Sequence, residues 1–113
     1  MPSFRLIFNV HELLPNNSPE AVMDTAVAVA GSHAFVEAKQ LNVRYKGGVP
    51  VPEITLRFTL PDSSVAAEDR AALAVQADVL AALGNIAVTS GYQVRRRNGG
   101  RWTVVVPKSN WGN

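Results

Sequence analysis

The chain contains no cysteine. Disulfides, thiolate metal sites and cysteine nucleophiles are thereby excluded, and the fold has to be held by packed side chains. Histidine is nearly absent as well, with two copies, His11 and His33. His11-Glu12 begins like a zinc-protease helix, but Pro15 stands where the second histidine is required. Two histidines on different elements, with no carboxylate as a clear third ligand, give no reason to assign a metal. Apolar runs are short: AVAVAG and AALAV fall far below the ~20 residues of a membrane-spanning helix. The opening MPSFRLIFNVHE lacks the basic start, long apolar run and small-residue cleavage site of a signal peptide. These absences give the expectation of a cytoplasmic protein with no membrane partner.

Catalytic signatures are missing too. There is no phosphate loop with its lysine, no dinucleotide glycine pattern and no Gly-x-Ser-x-Gly elbow, and the serines fall mostly where caps and turns need them. No cofactor and no catalytic residue is assigned. A small dimeric α+β-barrel enzyme, using Glu53, Glu37 and His11 for acid–base work, ranks third among the readings, because its pocket needs an apolar lining.

What is present suits a single globular unit. The 113 residues are 47% hydrophobic and 18% charged, enough for one core and well away from disordered composition. Residues 1–108 are read as one α+β domain and 109–113 as a flexible tail. Net charge is only +2, but its distribution is uneven. From Ala87 onward there are five basic residues (Arg95, Arg96, Arg97, Arg101, Lys108) and no acidic one, whereas Pro61 to Ile86 carries four acids against Arg70.

Periodicity supplies the elements. Phe4, Leu6, Phe8 and Val10 alternate with Arg5, Ile7, Asn9 and His11, the period of a strand with one buried face. Ser18-Pro19-Glu20 marks a helix start, and the helix runs to about Ala30 with Gly31 closing it. Phe35 to Lys46 is a second strand whose alternation changes phase, which a bulge near Lys39 to Leu41 reconciles. Ile54, Leu56, Phe58 and Leu60 define a third strand. Val65 to Leu83 is a helix rich in alanine and leucine, ended by Gly84 and Asn85. Ala87 to Arg97 and Arg101 to Val106 are strands joined by Asn98-Gly99-Gly100. The order β-α-β-β-α-β with a C-terminal β-hairpin extension predicts an α+β, ferredoxin-like sandwich: an antiparallel sheet with two helices on one face.

In that arrangement the face away from the helices is polar and mostly basic, and Arg95, Arg5, Arg57 and Arg44 form a stripe across it. Paired guanidinium hydrogen bonds suit phosphate. An open sheet face has to be polar in any case, and arginine stems cover backbone well, so the stripe also has a plain reading as a solvated surface. Aromatic residues for stacking bases on the central strands are lacking, which argues against sequence-specific reading of single-stranded RNA. Trp102 has two placements: the inner face of the last strand with Val104 and Val106, which its alternation favours, or an exposed position where it stacks on a base or an arginine.

The leading reading is a non-catalytic binder of nucleic acid or another polyanion, with backbone contacts and weak sequence specificity, through Arg5, Arg44, Arg57, Arg95, Arg96, Arg97, Arg101 and Trp102. The alternative is a homo-oligomeric or protein-binding module. Both helices are apolar nearly all round, and Val22, Val29, Val75 and Val79 look too widely spread to face one sheet, which makes them a candidate protein interface.

Overall fold

A computed structural model describes residues 1–107. The flexible tail expected at 109–113, together with Lys108, lies outside the described residues. Seven elements follow in order: β1 (Ser3–Leu13), α1 (Pro19–Gly31), β2 (Phe35–Lys46), β3 (Val49–Thr59), α2 (Val65–Leu83), β4 (Ala87–Asn98) and β5 (Arg101–Val104). The strands form one sheet in the order β2-β3-β1-β4-β5, antiparallel at every junction. Both helices pack against the same side of it. Among the described residues no helix is long and apolar enough to cross a membrane.

The sheet is built outward from β1. Phe4, Leu6 and Phe8 have no exposed surface, and their β3 partners Phe58, Leu56 and Ile54 are buried with them. Phe4 and Phe58 stack with ring centroids 5.7 Å apart, and Phe8 stacks on Tyr92 of β4 at 4.9 Å. Burial raises the Tyr92 phenol above its usual pKa, partly offset by its 2.7 Å hydrogen bond with the Thr89 hydroxyl.

Each helix starts at a serine cap. Ser18 Oγ accepts from the Ala21 N–H and Ser64 Oγ from the Ala67 N–H. Neither helix ends on a left-handed glycine. Gly31 is still helical and Ser32 closes α1 in a right-handed conformation, while Gly84 caps α2 at φ −58.

The valines offered above as a protein interface belong to the chain's own core. Val22, Val75 and Val79 are fully buried and Val29 packs against the core's margin. The expectation failed because it counted the sheet as the only internal surface. The helices lie side by side, and Ala26, Ala30 and Ala72 join the valines in one core, so each helix is covered by the sheet and by its neighbour.

Three register shifts shape the strands. In β2 the register shifts between Val36 and Ala38, earlier than the phase change in the sequence suggested. Leu41, Val43 and Tyr45 then share the face of Ile54, but these residues stay largely exposed. The β1–β4 register slips between Val10 and Glu12 and also between Ile7 and Asn9. Gly91 stands at this slip with φ +67, and a Cβ there would lie 2.6 Å from Asn9 Nδ2.

The three consecutive arginines divide between the faces. Arg96 sits opposite Phe4 and turns to the helix side, where its two terminal nitrogens reach Glu68 Oε1 at 2.7 Å and Asp69 Oδ1 at 3.0 Å. All three side chains are largely buried, so the contact ties the first turn of α2 to the sheet. Arg96 is therefore an internal brace and not a displayed contact. Glu68 also accepts from the Ser63 N–H at 2.7 Å, and that bond, followed by Arg96, holds its carboxyl below the ordinary value of 4.5.

A carboxylate with a lowered folded pKa adds stability above its ordinary pKa and loses it as pH falls through the folded value. The urea midpoint of the wild type should decline as pH drops below about 4.5, and Glu68→Gln should be less stable at neutral pH with a flatter acid limb. Parallel curves for the two proteins would refute this role. Gly91→Ala should destabilise by about 1–2 kcal/mol through left-handed strain alone, read as a lower urea midpoint at unchanged slope.

Candidate functional site

The face away from the helices carries Arg5, Ile7 and Asn9 of β1 and their β3 partners Arg57, Thr55 and Glu53. The register sets Arg5 directly opposite Arg57 on one side and Arg95 on the other. Three guanidinium-bearing side chains thus occupy adjacent positions on β3, β1 and β4, with strands ~4.8 Å apart. Like charges placed directly across a sheet repel. No carboxylate lies within ion-pair distance of these three among the described residues; the acids Glu68 and Asp69, which pair Arg96, are on the other side.

Neutral groups hold the row instead. Arg95 Nε donates to Gln93 Oε1 at 2.7 Å. The Arg5 guanidinium lies 4.1 Å from the centre of the Trp102 ring, with those of Arg57 and Arg97 at 5.3 and 5.9 Å. Indole faces attract cations through their quadrupole, by about 0.5–1 kcal/mol for an exposed pair. Arg57 Nε is buried and has no hydrogen-bond partner among the described residues.

Trp102 therefore stands on the open face, against the inward placement its alternation favoured. The turn explains the difference. Gly99 takes φ +62 in a two-residue loop that pairs Asn98 with Arg101, which sets Trp102 opposite Arg97 and Val104 opposite Arg95. The inward residue near the end of this segment is Val105, whose N–H donates to the Val94 carbonyl at 2.8 Å.

The remaining site residues are more scattered. Arg97 Nε donates to the Gly99 carbonyl at 3.1 Å and stays beside the row. Arg101 is exposed at the hairpin tip, on the Arg96 side of the alternation. Arg44 lies further along, opposite Val51, with Nε 3.2 Å from Glu53 Oε2, so it is partly neutralised. Shallow depressions flank the row. One, of about 160 Å³, is bordered by Arg5, Arg57, Thr55 and Gln40; the other, of about 410 Å³, by Arg95, Gln93, Ile7, Arg44 and Glu53.

The acid–base set is not assembled. His11 Nε2 hydrogen-bonds the Ser90 hydroxyl, Glu53 is engaged by Arg44, and Glu37 falls at the β2 bulge. Among the described residues no group of three or more histidines and carboxylates is placed to hold a metal ion.

The pairing of Arg96 escaped the sequence reading, and the exposed Trp102 stood there as the less favoured placement. The pairing of Arg96 had a signal, since the alternation that turns Val94 inward turns Arg96 the same way. The choice between the two Trp102 placements had none, because it depends on the turn geometry at Gly99-Gly100. No protein-family model, no curated protein and no solved structure matches the chain.

Proposed function

We propose that the open sheet face binds a polyanion, with the phosphate backbone of nucleic acid as the ligand, and does so without catalysis. The supporting observation is the Arg57–Arg5–Arg95 row, in which three like charges face each other across three strands with no carboxylate among them. An array of this kind is relieved by an anion laid along it. Arg97 extends the array at the β5 side. Arg44 lies at the far end of the face and joins only by leaving Glu53. Arg96 and Arg101 are not part of the array.

The mechanism is electrostatic, with little reading of bases. Trp102 has one ring face taken by Arg5, so its work is to hold guanidinium groups in position. The strand order fits a ferredoxin-like topology with β5 added beside β4. The Trp102 platform on that added strand is what sets this face apart from a plain solvated sheet.

Fluorescence anisotropy of labelled single-stranded DNA, duplex DNA and RNA between ~50 and ~200 mM salt tests the reading. Binding that weakens steeply with salt is expected. Arg5→Gln, Arg57→Gln or Arg95→Gln should each lower the log–log salt slope by about one phosphate contact, whereas Arg101→Gln should leave it unchanged. Trp102→Ala should weaken binding with little change in slope, since no charge is removed. Silence of all three probes at the lowest salt overturns the proposal.

A further inference from the structure

The two edges of the sheet differ. β5 offers only the four residues Arg101–Val104, whereas β2 runs from Phe35 to Lys46 without proline and has one neighbour, β3. Among the described residues its outer row of backbone N–H and C=O groups has no strand beside it. Leu41, Val43 and Tyr45, on the helix side of this strand, are 57, 51 and 73% exposed. Next to them lies an apolar groove of about 230 Å³ formed with Val10, Leu13, Met23 and Ile54. A long edge with apolar side chains is normally covered or blunted. β2 has Lys39, Arg44 and Lys46 toward its ends, but its middle, Gln40 to Val43, is uncharged.

We infer that β2 pairs with β2 of a second copy of this chain, antiparallel and about a two-fold axis at Asn42. The occupant follows from the strand's own sequence. Beyond the bulge, centring on Asn42 aligns the whole segment Ala38–Lys46 with itself, so no shifted register pairs more of it. Side chains keep their faces, which a slip of one residue inverts. On the helix side Leu41 meets Val43, and Lys39 meets the Tyr45 ring, a favourable cation–π combination. On the open side Gln40 meets Arg44 and Asn42 meets its own counterpart. No like charges face each other, whereas centring on Lys39 or Arg44 sets a cation against itself. The contact is isologous and closes after two copies. It joins two five-stranded sheets into one, with all helices on one side and both arginine rows on the other.

Light scattering coupled to size exclusion should give twice the monomer mass at micromolar concentration. Leu41→Glu combined with Val43→Glu, both at exposed positions, should return the monomer with unchanged circular dichroism. Leu80→Glu, on an exposed part of α2, should leave the dimer intact. The absence of cysteine permits a register test. Asn42→Cys should form an intermolecular disulfide on mild oxidation faster than Gln40→Cys or Arg44→Cys. A wild-type monomer at all concentrations, a dimer broken by Leu80→Glu and not by the β2 pair, or crosslinking no faster at position 42 than at its neighbours overturns the inference.

Discussion

The pleat of β1 is the constraint on which the rest of the molecule depends. As the middle strand it is paired on both sides, so its alternation has to be matched by β3 and β4 in register. Its even residues, Phe4, Leu6 and Phe8, fix the side on which both helices bury their apolar surfaces. Its odd residues then have no choice of face. Arg5 reaches the open side because Phe4 and Leu6 are needed within, and the same parity on either side brings Arg57 and Arg95 next to it.

This parity gives consecutive arginines opposite circumstances. Arg96 is almost surrounded by protein and its charge is met by two carboxylates of α2, so it acts on the fold. Removing such a partner leaves buried charges uncompensated, which is more damaging than the pair is stabilising. Arg95, one residue earlier, is met by an amide, and Arg5 and Arg57 by an indole. Amide and indole orient a guanidinium without cancelling its charge. The open face thus has geometric order and uncancelled positive charge together, a combination that a surface optimised for solubility alone does not need.

Element order, the two serine caps and the buried faces of β1 and β3 were legible in the sequence because each rests on local spacing. The basic character of the open face was legible for the same reason. Other features depend on contacts between distant segments. The apolar excess of α1 and α2 reads as unpartnered until the helices are seen to cover each other, which is how Val22, Val75 and Val79 came to be misassigned to an interface. Trp102 was misplaced because five residues of alternating sequence do not reveal how a two-residue glycine turn sets their phase. The β2 bulge was expected but lies nearer the strand's start, since the exposed side chains that follow it, Lys39 among them, tolerate either face.

The central position of β1 also governs how the chain assembles. β1 is made before both of its neighbours, and Phe4 has to wait for Phe58 on one side and Arg96 on the other. The β2–β3 hairpin, in contrast, closes across Gly47-Gly48, whose positive φ angles of 57 and 81 suit a tight turn. Closing the long loops around β1 costs chain entropy before any core contact returns it, and high contact order slows folding. β1 therefore leaves the ribosome before the strands that pair with it and is among the last elements to be locked, and until β4 arrives Phe4 and Phe8 lack their partners.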